Sequence, residues 1–325
     1  MGALLDIDRL AVALPGPRGP LPILHDVSLT VGEGELVGIA GESGCGKSMT
    51  AQTVLGLLPP GAKTTGSARF DGRELLTLDR KGWQRVRGRG IAMVFQDPTA
   101  ALHPMLTVGT QLTEHMRIHL GMNRKAAQRR AVDLLDQVRL PDPERALRAY
   151  PHQFSGGMRQ RVAIAGALAA QPRLLIADEP TTALDVTVQA GILALLDRLR
   201  RDTGLAVAFI THDLGVLSAL TARSYVFYAG RVVEAGPTGA LLTGPRHPYT
   251  AALLGARPHG GQTGVALTPI PGSPPAPGEL PPGCAFSTRC AHVRDECRTA
   301  VPPLHPAGPD RTSACVIRTE LEVAA

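Results

Sequence analysis

The stretch Gly41-Glu42-Ser43-Gly44-Cys45-Gly46-Lys47-Ser48 constrains this chain more than any other. It matches Gly-x-x-x-x-Gly-Lys-Ser/Thr in full, and its neighbours supply the context that pattern needs. Glu35 to Ala40 reads as a buried strand, and Met49 to Leu58 reads as a helix that stops at Pro59-Pro60-Gly61. A strand, a glycine turn and a helix start then follow one another. Glycines let the backbone wrap closely and aim its N–H groups inward. The helix start adds unpaired N–H groups and a partial positive charge. Lys47 can reach the β- and γ-phosphates of a nucleoside triphosphate, and the Ser48 hydroxyl can hold Mg²⁺. A chance glycine-rich turn is the bland alternative, and the flanking strand and helix argue against it.

A second motif belongs with the first. Leu174-Leu175-Ile176-Ala177 is an apolar strand that delivers Asp178 to a Mg²⁺ shell. Glu179 follows, and a carboxylate there can orient and polarise an attacking water. No Asn-Lys-x-Asp base-reading motif is present, which argues against a GTPase. The third motif, Phe154-Ser155-Gly156-Gly157-Met158-Arg159-Gln160, opens a helix and is another anion-binding helix start. One ATP seldom needs two such starts from one chain. A sandwich dimer accounts for both, with each ATP between one chain's phosphate loop and the other chain's Ser-Gly-Gly helix.

The rest of the chain fits an α/β fold. Residues 4–14, 23–31 and 66–72 read as antiparallel strands separated by Gly/Pro turns. Ile91 to Phe95 is a strand leading to Gln96. Helical patterning then runs from about 105 to 170, with Ala126 to Val138 amphipathic and Gly157 to Ala170 ending before Pro172. Asp185 can cap a helix over Val186 to Arg201. Leu205 to Ile210 is a strand, and Tyr225 to Glu234 folds back at Ala229-Gly230 as a hairpin. Strand–helix alternation after residue 170 argues for a largely parallel sheet.

The motif set resembles an ATP-binding cassette (ABC) ATPase subunit over residues 1 to about 255. The resemblance implies a P-loop NTPase core with an antiparallel β-subdomain and an inserted helical subdomain at about 97–165. Residues 256–325 form a C-terminal Cys-rich extension. By resemblance, Gly41 to Ser48 form the Walker A loop, and Gln96 is the Q-loop glutamine that senses Mg²⁺ and the membrane partner. Ser155, Gly156 and Gly157 form the signature that acts in trans. Asp178 and Glu179 are Walker B and the catalytic base, Asp185 lies in the D-loop, and His212 is the switch histidine near the γ-phosphate. Two departures stand out. Phe154 and Met158 replace the usual Leu and Gln of the signature, and Leu10-Ala11-Val12-Ala13-Leu14 offers no aromatic ring for adenine.

Tyr150 to Arg161, Pro245 to Thr250, and Pro281 to Phe286 with Arg289-Cys290 are similar to the dipeptide/oligopeptide/nickel importer ATPases, in particular the dipeptide-type "D" subunits. That likeness implies an ATP-hydrolysing subunit powering peptide uptake. Its partners would be a homologous ATPase subunit, two transmembrane permeases and an extracellular solute-binding protein. It would sit peripherally on the cytoplasmic face of the membrane. A nickel or other small-solute importer, or a soluble ABC protein working on nucleic acid, are the other readings. Against the last, basic residues are scattered despite a net charge of +6, aromatic residues make up only 3%, and so no nucleic-acid partner is expected. No apolar run reaches bilayer-spanning length, and Met1 to Asp6 has no basic region before an apolar core, so the chain is expected to stay in the cytosol.

Four of the five cysteines, Cys284, Cys290, Cys297 and Cys315, follow a Pro-rich arm at 269–282. Disulfides are disfavoured in a reducing compartment. The segment has too few large apolar residues for its own core, so a metal centre is expected to fix it. Thiolates suit Zn²⁺ or an iron–sulfur cluster. Spacings of five, six and seventeen residues fit the larger group better, and the importer resemblance implies [4Fe–4S], with Zn²⁺ the alternative.

Overall fold

Glycines and helix-capping side chains set the element boundaries. The computed structural model describes residues 2–182, 184–256 and 269–317. In chain order the elements are β1 (Leu5–Gly16), β2 (Gly19–Val31), β3 (Leu36–Ala40), α1 (Lys47–Val54), β4 (Lys63–Phe70), β5 (Arg73–Glu74), α2 (Arg80–Val86), β6 (Ile91–Val94), α3 (Pro98–Ala101) and α4 (Val108–Leu120). They continue with α5 (Arg124–Gln137), α6 (Pro143–Ala146), α7 (Gly156–Leu168), β7 (Leu174–Asp178), α8 (Val186–Thr203), β8 (Ala206–Thr211), α9 (Leu214–Leu220), β9 (Arg223–Tyr228), β10 (Arg231–Pro237), α10 (Thr238–Thr243) and α11 (Pro248–Gly255). The tail adds α12 (Glu296–Thr299), β11 (His305–Gly308) and β12 (Arg311–Ser313).

The chain divides into two compact units. One comprises Met1–Leu4, Val31–Glu35 and Thr77–Ile210. Its strands β6, β7 and β8 run parallel, with Ile91 against Leu174 and Asp178 against Ile210. Every residue of β7 and β8 is buried, which explains why both are apolar up to their last residues, Asp178 and Thr211. The helices bury one stripe each: Val108, Leu112 and Met116 of α4, and Ala127, Ala131, Leu134 and Leu135 of α5. Asn123 starts α5 two residues before the patterned run, by accepting from the Ala126 N–H at 2.9 Å.

The other unit comprises Leu5–Thr30, Leu36–Leu76 and Thr211–Ala325. It holds an antiparallel sheet in the order β2-β1-β4-β5 and a second sheet portion in the order β11-β12-β10-β9-β3. Strand β3 pairs in parallel with β9, and β9 and β10 form the expected hairpin. Helix α1 ends at Val54 rather than Leu58, because Gly56 turns left-handed (φ 61°) and breaks the ladder.

Sequence patterning missed how the tail folds. Instead of standing alone, it adds β12 antiparallel to β10, with Glu234 opposite Ser313. The Arg311 guanidinium also donates to Glu234 Oε1 at 2.7 Å, with both side chains buried. Glu234 further accepts from the Arg246 and His247 N–H groups at 2.8 and 3.0 Å. A tail with few apolar residues is therefore fixed by a β-ladder and a buried ion pair, devices that hydropathy does not register.

Candidate nucleotide site

The phosphate loop lies between β3 and α1, as the motif requires. Gly41 is left-handed (φ 149°), and a Cβ there would meet the Phe227 carbonyl oxygen at 2.3 Å and Cys45 Sγ at 2.7 Å. Gly46 (φ 105°) is the residue before α1, and a Cβ on it would strike Leu24 at 2.6 Å. These positions admit only glycine. The buried Lys47 ammonium donates to the Gly41 and Glu42 carbonyls at 2.8 and 2.9 Å. That arc holds the loop around the cation that phosphate oxygens would meet. Cys45 is buried against the loop, and burial pushes its thiol up. Ser43, Gly44 and Ser48 are exposed.

Three contacts from distant residues hold the loop. The Glu42 N–H donates to the Tyr249 hydroxyl at 2.8 Å. The Gly230 N–H donates to the Cys45 carbonyl at 2.9 Å. The Arg289 guanidinium grips both Glu42 carboxylate oxygens, at 2.8 and 3.1 Å. The hydrogen bonds to Glu42 in turn raise the Arg289 pKa above its ordinary value. Behind the loop, Tyr228, Tyr249 and Phe286 form an aromatic cluster with ring centroids 4.5–5.4 Å apart. Desolvation raises both tyrosine hydroxyls. His247 caps α11 through Nδ1, and its complete burial lowers its pKa to about 3.

The other unit carries the acidic strand end. Asp178 is buried at the end of β7. Glu179 follows with φ 46°, a conformation that costs a non-glycine residue on the order of 1 kcal/mol and turns the chain sharply. Its Oε2 accepts from Gln96 Nε2 at 3.3 Å and from the Thr182 hydroxyl at 2.9 Å. Gln96 lies just beyond β6, so pairing of β6 with β7 brings two residues 83 positions apart to one strand end. In the same unit, Ser155 starts α7 and accepts from the Met158 N–H at 3.3 Å. Gly157 is required there, since a Cβ would meet Val188 at 2.6 Å. Asp185 starts α8 as expected, accepting from the Val188 N–H at 2.9 Å. Ala183, which precedes it in the D-loop, lies outside the described residues. His212 is exposed at the end of β8, where Asp213 caps α9.

The four tail cysteines share one segment: Cys297 is buried and Cys284, Cys290 and Cys315 are half-buried. Burial, followed by the charges of the other three, pushes the Cys315 thiol up to about 11. Among the described residues, no three His, Cys, Asp or Glu side chains are placed to hold one metal ion. The expected metal centre is thus not drawn together by the protein alone, and neither the [4Fe–4S] expectation nor the Zn²⁺ alternative gains support from the side-chain placement. The tail owes its placement to Arg289, Arg311 and the β12 ladder instead.

Sequence reasoning missed Arg289 and Arg311 as structural partners, and found Tyr249 and His247 only as part of a family-like string. Their acidic partners lie 247 and 77 positions away, beyond any local pattern.

Two family models match. That of the ABC transporter covers residues 24–182, and that of the oligopeptide/dipeptide transporter C-terminal region covers residues 233–297. The chain is 50% identical over 99% of its length to the oligopeptide transport ATP-binding protein OppD of Mycobacterium tuberculosis, and spans 53% of that relative. It thus covers about half the length of the first such relatives. It is 45% identical to OppD of Salmonella typhimurium, covering 96% of this chain and 93% of that protein. Against the dipeptide transport ATP-binding protein DppD of Escherichia coli the identity is 44%, covering 96% of each. Among solved structures, a dimeric ATP-binding cassette in a post-hydrolysis state with ADP and Pi superposes with a TM-score of 0.65. It is 30% identical, and the match covers 72% of this chain and 98% of that one.

Proposed function

Because the chain belongs to the ABC ATPase family, among the ATP-binding proteins of oligopeptide and dipeptide transport, we propose that it hydrolyses ATP to drive peptide import. The observation that carries this reading is the meeting of Gln96 with Glu179 at one strand end, directly after buried Asp178. Lys47 and the amides of Gly41 to Ser48 would bind the phosphates, and Ser48, Asp178 and Gln96 would supply oxygen ligands for Mg²⁺, which when bound would neutralise the charge on the phosphates. Glu179 takes a proton from the attacking water, and Gln96 orients it. His212 hydrogen-bonds the γ-phosphate. Ser155, Gly156, Gly157 and Asp185 complete a second chain's site. Support for that dimer comes from the exposure of Ser155, Asp185 and Val186, and from the dimeric state of the solved relative.

The partners proposed are a homologous ATPase subunit, two permeases and a solute-binding protein, with this chain peripheral on the cytoplasmic face. No helix among the described residues is long and apolar enough to cross a membrane. The domain reading is an ATPase domain over 1–255, its helical insertion at about 97–165, and an extension over 256–325. Within that extension the all-thiol set Cys284, Cys290, Cys297 and Cys315 would hold a [4Fe–4S] cluster. A cluster takes thiolates spread wider than a single ion does, and all four thiols belong to one segment with none of them fully exposed, which is what supports that choice. When bound, it would crosslink the tail. Anaerobic purification should yield about four iron and four sulfide per chain; protein with neither would remove the site.

Glu179→Gln tests the main reading in the assembled transporter. ATP binding should persist while hydrolysis falls by about 10²–10⁴-fold. Near-normal turnover in that variant would end the assignment.

A further inference from the structure

Arg289 lies between Cys284 and Cys290, in the segment furthest in sequence from the phosphate loop, yet its guanidinium is buried against that loop. Nη1 and Nη2 pair with the two oxygens of Glu42 at 2.8 and 3.1 Å. Nε donates to the Pro271 carbonyl at 2.8 Å, and Nη1 also reaches the Tyr228 hydroxyl at 3.3 Å. The Tyr228 and Phe286 rings lie 5.8 and 5.9 Å from its central carbon. The fork is thus fixed on every side before it meets Glu42. The segment bearing it is itself tightly turned. Cys284 N–H donates to the Cys297 carbonyl at 2.8 Å, and a Cβ at Gly283 would meet that carbonyl at 2.2 Å.

Glu42 is the second residue of the loop. An unneutralised carboxylate there would face a polyphosphate of like sign. A carboxylate held bidentate by a guanidinium forms a pair with no net charge and cannot swing, so the first turn of the loop keeps one shape. We propose that Arg289 is a positioning residue for nucleotide binding: it neutralises Glu42 and braces the phosphate loop, so that the four-cysteine segment sets ATP affinity. This rests on the reading of Gly41 to Ser48 as the phosphate loop of an ATP site. The consequence is a coupling: whatever loosens the cysteine segment releases Arg289 and weakens nucleotide binding.

The test is a double-mutant cycle on the full chain, read as the dissociation constant for a fluorescent ATP analogue. Arg289→Gln should weaken binding about tenfold or more, because it strands a partly buried carboxylate beside the phosphates. Glu42→Gln should cost less, since it removes the repelling charge together with the brace. The double variant should sit at the level of Glu42→Gln, not below it. Hydrogen exchange without nucleotide supplies a readout that general destabilisation would not reproduce. Amides 42–46 should exchange faster in Arg289→Gln, while those of β3 keep their protection. If Arg289→Gln fails to fold, Arg289→Lys carries the test with an intermediate loss. Wild-type affinity in the Arg289 variant, or losses that multiply in the double variant, would overturn the proposal. Failure of the wild-type chain to bind ATP any better than Lys47→Ala would instead refute the ATP site itself, and the brace with it.

Discussion

Two helix starts in this chain are proposed as phosphate sites, and they are finished to different degrees. At the start of α1, Lys47 is buried and satisfied by the Gly41 and Glu42 carbonyls, and Tyr249, Gly230 and Arg289 hold the loop from outside. At the start of α7, Ser155 and Gly156 are exposed, and the cap is local, with Ser155 accepting from Met158. The first cradle is complete within its own chain. The second has a preformed helix start whose first residues, Ser155 and Gly156, are exposed. Such a difference is what a site shared between two chains requires: one half must be rigid enough to bind alone, and the other must stay open to dock.

The largest expected effect bears on the first cradle. Lys47→Ala removes the buried cation at the centre of the loop, and ATP binding should be lost, as read by titration with a fluorescent analogue. Retention of affinity would place the nucleotide elsewhere. The second cradle should respond in the opposite sense. Ser155→Ala should leave this chain's own binding of ATP intact yet disable hydrolysis at the site built on the partner's phosphate loop. Mixing this variant with a partner whose own phosphate-loop lysine is intact, then trapping nucleotide on each chain, reads the two sites separately. Damage confined to the site containing Lys47 would break the comparison.

The two cradles also differ in how far the sequence revealed them. The Gly-x-x-x-x-Gly-Lys-Ser run, the acidic end of β7 and the Ser-Gly-Gly start are local, so their elements could be placed within a few residues. Asp185 is legible as a cap in the sequence, since one carboxylate before an amphipathic run is enough signal. The bracing of the first cradle was not legible. Nothing near Arg289 names Glu42 as its partner, and nothing near Arg311 names Glu234. Ion pairs spanning 247 and 77 positions follow from topology, which places the tail beside β10. The three-residue strand β12 is likewise too short for an alternating pattern. This is why a metal centre was expected to carry the whole burden of fixing the tail.

The tail's second anchor sharpens that point. Arg311→Ala strands Glu234, which is fully buried and otherwise served by two backbone N–H groups. Removing one member of such a pair costs about 3–5 kcal/mol. Denaturant melting should show that loss. A much smaller loss would mean that the β12 ladder alone holds the tail.

A last effect concerns pH, and it bears on the first cradle alone. His247 caps α11, the helix that positions Tyr249 against Glu42, and it is wholly buried with a pKa of about 3. Its folded value is depressed from 6.5, so the folded state holds it neutral while the unfolded chain protonates it below about 6.5. The unfolded state then binds more protons, and stability rises with pH across that window. Read downwards, stability is unaffected by this group above about pH 6.5. It falls as pH drops from about 6.5 towards 3, and levels off below. His247→Asn keeps an acceptor that can cap the helix but does not titrate, so its unfolding free energy should lose that part of the acid slope between pH 6.5 and 4. The fluorescence of bound nucleotide should stay free of that slope across the same window, because His247 in the folded chain remains neutral and keeps its cap on α11. Ser155 has no such dependence, and a variant with an unchanged acid slope would show that His247 is not the group responsible.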